Sequence, residues 1–202
     1  MALSDPSWGF EYEDETWFVT IPPNGIMNPE DGSAWKEAGH PPKNKSARKK
    51  GQDTFTAYLS LDVKEQRVSH RYSDHTNRWE TIEYLKDRLS AHERMGHNTL
   101  LIIWDCASWH KAKDLRSFAR EHNGRVRRER QGVRLVVTTL PVHAFWMNPV
   151  EAIIKHTKAK VLPCRQFDSR SDQQRNIDTF WLHRNLRCAC VPKPEHIITL
   201  LH

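Results

Sequence analysis

The run Thr99-Leu100-Leu101-Ile102-Ile103-Trp104 is apolar after its first residue and stops abruptly on Asp105. A strand with no polar alternation offers no face to water, so it must lie inside a sheet that is covered on both sides. The rest of the chain therefore has to supply neighbouring strands and two layers of helix. Strand-like segments fall at 10–21, 53–62, 65–73 and 133–140, and Val63-Lys64-Glu65-Gln66 reads as a hairpin turn between the second and third. Trp79, Ile82, Leu85 and Leu89 recur at helical spacing and predict an amphipathic helix over 76–94. Lys111 to His122 carries Leu115, Phe118 and Ala119 on one face and is expected to stop at Asn123-Gly124. Asn148 opens a third helix with Pro149 in its first turn, running to Leu162 before Pro163. Ser169 to Cys188 predicts a fourth, with Ile177, Phe180, Trp181 and Leu186 as its apolar positions. Three meandering strands, then helix and strand in alternation, make an α/β layer architecture. Residues 1–163 are expected to form one domain, with 24–51 as a basic loop insertion and 164–202 as a helical extension of the same domain.

The chain has 202 residues, enough for one well-filled core. Lys and Arg total 31 against 25 acidic residues, and the resulting +6 favours a polyanionic partner. Lys43, Lys45, Arg48, Lys49 and Lys50 cluster in the loop, and a second basic stretch runs from Arg125 to Arg134. No apolar run is long enough to span a membrane, and the first residues lack the basic and apolar regions of a secretion signal. Cys106, Cys164, Cys188 and Cys190 fit reduced thiols of a cytosolic protein. Cys188-Ala189-Cys190 with His183 and His196 does not follow zinc-ligand spacing.

Carboxylates stand at three strategic places: Glu13-Asp14-Glu15 within the first strand, Asp105 at the end of the buried strand, and Glu151 at the head of the third helix. If the first and buried strands are neighbours, Asp14 and Asp105 face each other, and Glu151 closes a triangle. Such a set would bind two Mg²⁺ ions about 3.5–4 Å apart, with Mn²⁺ as a substitute. Strand alternation sends Glu13 and Glu15 to the face opposite Asp14. Each carboxylate also has an ordinary reading. Asn148 and Glu151 could form a capping box, Asp105 could mark a turn, and Asp14 and Glu15 could lie on an exposed strand edge. Ser108 and His110 lack a nucleophile elbow, so His110 is expected to shape the loop or touch a phosphate.

The segments FEYEDETWF (10–18), LLIIWDCASWHKAKDLRSFAREHNG (100–124) and LPVHAFWMNPVE (140–151) resemble the DDE catalytic domain of bacterial insertion-sequence transposases related to mariner elements. The resemblance runs through nearly the whole chain in order, although Cys106 stands where the family has Asn. It implies a ribonuclease H-like mixed sheet flanked by helices, with Asp14, Asp105 and Glu151 as catalytic residues and metal ligands. The implied reaction is metal-dependent DNA strand cleavage followed by attack of the freed 3′-hydroxyl on target DNA. The implied partners are transposon ends and target DNA, held by a homodimer in the bacterial cytoplasm at the nucleoid. Family members carry an N-terminal helix-turn-helix, so recognition of the ends is expected from a separate polypeptide. Expected phosphate contacts are Lys43, Lys45, Arg48, Lys49, Lys50, His110, Lys111, Arg125, Arg127 and Arg128. A catalytically silent DNA-binding remnant and a structure-specific nuclease are the alternatives.

Overall fold

The structure, a computed structural model, describes residues 5–20, 54–107, 110, 112–141, 145–162 and 167–190. The cluster Lys43 to Lys50, and Lys111, lie outside the described residues. Among the described residues, five strands form one sheet: β1 (Trp8–Val19), β2 (Thr54–Asp62), β3 (Val68–Ser73), β4 (Thr99–Trp104) and β5 (Arg134–Thr139), in the order β3-β2-β1-β4-β5. The first three strands are antiparallel to one another, while β4 runs parallel to β1 and β5 parallel to β4. Four helices cover the sheet: α1 (Arg78–Arg94), α2 (Lys113–Glu129), α3 (Pro149–Val161) and α4 (Arg170–Cys190). This is the mixed sheet between helical layers that the apolar β4 run requires.

Two cores fill the space between the layers. Ile82, Leu85 and Leu89 of α1 and Leu115 of α2 pack on Leu100, Ile102, Trp104 and Leu135. On the other face, Val150, Ile153 and Ile154 of α3 and Ile177 and Trp181 of α4 meet Phe18, Phe55, Leu59 and Leu61. The Trp181 indole Nε1 donates to Thr157 Oγ1 at 2.9 Å, joining α4 to α3.

Three sequence expectations need correction. Helix α2 runs through Asn123-Gly124 to Glu129 and ends at Arg130 in the left-handed region (φ 52°). The Asn123 side chain accepts from Leu135 N and donates to Leu135 O, both at 2.8 Å, so tertiary bonding to β5 outweighs the local helix-breaking tendency. Trp79 is 57% exposed and does not pack on the sheet, because it sits in the first turn of α1 beside Arg78, which lies over its ring. Leu186 is likewise exposed on α4.

Candidate active site

Strand β1 pairs with β2 along most of its length but with β4 only from Trp8 to Tyr12. Tyr12 stands opposite Ile103, so continuing that parallel register sets Asp14 beside Asp105. There β4 has ended and β1 continues, so the two carboxylates stand at the carboxyl ends of the parallel strands, a usual place for sites in such sheets. Helix α3 is fixed to the same point. Asn148 Oδ1 caps it by accepting from Val150 N at 3.1 Å, and Asn148 Nδ2 donates to Glu13 O at 2.9 Å. Among the described residues the reciprocal bond of a capping box is absent: the Glu151 carboxylate instead pairs with Lys155 at 3.3 Å.

The electrostatics record this convergence. Burial pushes the Asp14 carboxyl up to about 7, and the negative charges of Glu15, Glu151 and Asp105 add to that. A hydrogen bond from Glu15 N to Asp14 Oδ1 (2.9 Å) opposes the rise. Asp105 Oδ1 accepts from Ala107 N at 2.8 Å and from His110 Nδ1 at 2.9 Å, while the side chain stays 40% exposed. Lys158, two turns beyond Glu151 on α3, lies over the rings of Trp17 and Phe18 at 5.4 and 5.5 Å. Burial lowers its pKa, while Asp14 and Glu151 act to hold it up.

The opposite face of β1 carries Glu11, Glu13 and Glu15, as the alternation predicts. Glu11 is buried against Arg88 and His92, with Arg88 Nε at 3.0 Å and His92 Nε2 at 2.8 Å. Burial alone would raise its carboxyl, but the bonds and charges of His92 and Arg88 bring it down to about 2. Glu13 is equally buried, and neither of its oxygens has a hydrogen-bond partner; His110 Nε2 lies 3.6 Å away. Burial and the Glu15 charge hold this carboxyl well above its ordinary range. His110 Nε2 donates to Glu15 Oε1 at 3.1 Å.

Among the described residues, the tightest sets of possible metal ligands are Glu11–Asp62–His92 and Glu13–Glu15–His110. The first is occupied internally by Arg88. Asp14, Asp105 and Glu151 are not among these sets, so their ligand atoms do not all lie within 4.8 Å of one another, but their donors are all carboxylate oxygens, the type that hard divalent cations take. A cation would offset the burial and the neighbouring charges of Glu15, Glu151 and Asp105 that disfavour an ionised Asp14, so the chemistry of these residues fits the metal that the family resemblance implies.

His110 is buried and turned inward between Asp105 and Glu15, rather than outward to a phosphate. Arg125, Arg127 and Arg128 are exposed near the far end of α2. At about 1.5 Å per residue, that places them roughly 20 Å along the helix from the end near Asp105. The sequence reading missed the Asn148–Glu13 tether, the Glu15–His110 tie and Lys158. Only Lys158 carried a signal, since a residue seven positions after Glu151 returns to the same helix face.

The family described as DDE superfamily endonuclease matches residues 26–174. That span begins after Asp14, so the first carboxylate rests on its place in the fold. No curated protein matches the chain. Among solved structures, the Mos1 transposase paired-end complex with left transposon end superposes with a TM-score of 0.57 at 15% identity, over 90% of this chain and 54% of that one. The Mos1 mariner paired-end complex with Mn gives 0.54 at 14% identity, again over 90% and 54%. The catalytic domain of Mos1 mariner transposase gives 0.52 at 12% identity, over 90% of this chain and 80% of that one. The chain thus spans about half the length of the longer transposase chains that it matches. With the ribonuclease H-like sheet shared with these structures and the family matched over most of its length, the chain belongs to the DDE superfamily of endonucleases.

Proposed function

We propose that this chain is the catalytic domain of a DNA transposase, cutting DNA strands in a metal-dependent reaction and joining the freed 3′-hydroxyl to target DNA. The observation that supports this reading is the register of β1 on β4, which, continued two residues past Tyr12 and Ile103, would bring Asp14 beside Asp105, next to the Glu13 carbonyl that accepts from Asn148 at the head of the helix bearing Glu151. Asp14, Asp105 and Glu151 would hold the metal, read as two Mg²⁺ ions. Bound there, a metal pair supplies activation of the attacking oxygen and charge neutralisation at the leaving oxygen. The chain's own contribution is placement: β1 and the end of β4 hold two carboxylates on one rigid sheet, and Asn148 fixes the third. Lys158 would meet the scissile phosphate from the α3 side. Arg125, Arg127 and Arg128, with Lys43, Lys45, Arg48, Lys49, Lys50 and Lys111, would grip flanking DNA through its backbone and make binding fall steeply with salt. A homodimer on DNA and a separate helix-turn-helix polypeptide for the ends complete the reading.

The test is plasmid nicking by the purified chain in Mg²⁺ or Mn²⁺, compared with Asp105→Ala. Nicking that requires metal and falls by about a hundred- to a thousandfold in the variant is the expected result, an oxyanion-scale loss of charge stabilisation. Salt-sensitive DNA binding without nicking would favour the silent remnant. Nicking without strand transfer, in the presence of end DNA and target, would favour a plain nuclease.

A further inference from the structure

Among the described residues the pairing of β1 with β4 ends at Tyr12 and Ile103, and the carboxylates of the site lie just past that point in both segments. One side chain spans the gap. His110 Nδ1 reaches Asp105 Oδ1 at 2.9 Å, and Nε2 reaches Glu15 Oε1 at 3.1 Å. Its ring lies flat on the Trp104 indole, with centroids 4.4 Å apart and planes within 5°. The imidazole has no exposed surface. We propose that His110 is a positioning residue that ties the Asp105 carboxylate to Glu15 on β1 and so presets the orientation in which Asp105 takes a divalent cation. This rests on the reading of Asp105 as a metal ligand.

The chemistry of the contacts supports the assignment. Ionised carboxylates only accept hydrogen bonds, so a ring that meets one at each nitrogen donates from both and carries a positive charge. The two hydrogen bonds, to Asp105 and to Glu15, offset the cost of burying the ring. Two bonds converge on Asp105 Oδ1, from Ala107 N and His110, which fixes the plane of the carboxylate. The stack on Trp104 fixes the plane of the ring. Because Trp104 is itself buried in the core between β4 and the α1–α2 layer, the orientation of Asp105 is referred to the rigid sheet rather than to its loop. Outer contacts of this kind are worth about 10- to 100-fold in metal affinity.

The experiment measures Mn²⁺ affinity of the full chain by the electron-spin resonance signal of free Mn²⁺, with thermal unfolding recorded alongside. The variants are Asp105→Asn, His110→Gln, their combination, and the pair Glu15→Gln and Glu15→Ala. Both Asp105→Asn and His110→Gln should weaken Mn²⁺ binding, the latter by about 10- to 100-fold. Their combination should bind no worse than Asp105→Asn alone, since the ring acts through Asp105. Independent, multiplying losses, or an unchanged affinity in His110→Gln, would overturn the proposal. The Glu15 pair needs no change at position 110. Both variants lose the same charge, but glutamine keeps an oxygen to accept from Nε2, so Glu15→Ala should lose the more affinity. Equal losses would overturn the tie. An Asp105→Asn chain that binds Mn²⁺ as wild type does would instead remove Asp105 from the metal site, and with it the reading on which the tie depends.

Discussion

Glu11 and Glu13 lie two residues apart on the same face of β1, both fully buried, and they have opposite fates. Glu11 meets Arg88 and His92 and stays ionised down to about pH 2. Glu13 has no hydrogen-bonding partner among the described residues and is pushed strongly toward its neutral form. Depth of burial is the same, so it is the supply of donors that decides the charge. The end of β1 near Glu11 is a closed ion network that holds α1 on the sheet. The end near Glu13 supplies that carboxylate with no hydrogen bond among the described residues, His110 Nε2 lying 3.6 Å away, and it adjoins the carboxylates of the candidate site. One strand thus carries an end held by ion pairs and an end where burial drives a carboxyl toward neutrality beside the carboxylates of the candidate site.

The largest break in this comparison comes from Arg88→Met. Removing the arginine leaves the Glu11 charge buried with His92 alone, and a buried pair broken from one side costs about 3–5 kcal/mol. Urea unfolding at pH 7 would measure it. The wild type should also lose stability as pH falls from 4.5 toward 2, because a depressed carboxyl stabilises the fold above its unfolded pKa and ceases to do so as it protonates. The variant should lack most of that acid limb. A variant as stable as wild type at pH 7 would mean that the network contributes little to holding α1.

Glu13→Gln tests the other end and should act in the opposite direction. A carboxyl raised by burial favours the fold below its ordinary value of 4.5 and penalises it increasingly as pH rises. The glutamine chain should therefore match wild type near pH 4 and exceed it in melting temperature at pH 8. The gain should be smaller than the loss in Arg88→Met, because the amide is itself left without partners. A drop in stability at pH 8 would show that Glu13 is held ionised by His110.

The contrast between the two ends also marks what a reader of the sequence can and cannot see. The apolar run of β4 and the terminal Asp105 are local signals, as are the Asn148-Pro149 start of α3 and the alternation that separates Asp14 from its neighbours. Those signals carry the layer architecture and the three carboxylates. The Glu11 network is not local: its partners stand 77 and 81 residues away. His110 reaches Glu15 across 95 residues, so the motif that contains it gives no hint that it faces inward. Asn123-Gly124 has the composition of a helix stop, but the bonds of Asn123 to the Leu135 backbone exist only once β5 is in place. Trp79 errs the other way. Its helical spacing is sound, but a first-turn position beyond the sheet leaves it no surface to cover.

The smallest effect belongs to the outer edge of the closed network. His92 and His97 share one hydrogen bond between their Nδ1 atoms at 2.8 Å, so one ring donates and the other accepts, and two charged rings cannot share it. Burial and the neighbouring His92 lower the His97 pKa below 6.5. A histidine shifted downward supports the fold above its unfolded value and loses that contribution as pH falls through the folded one. His97→Ala should therefore cost about 1 kcal/mol or less at pH 8, an ordinary hydrogen bond, and less again at pH 5, where the wild type has begun to give up the bond. Paired urea titrations at the two pH values would resolve the difference. A cost that grew on acidification would mean that His97 carries its proton in the fold, and the closed end of β1 would then depend on a third positive group rather than on Arg88 and His92 alone.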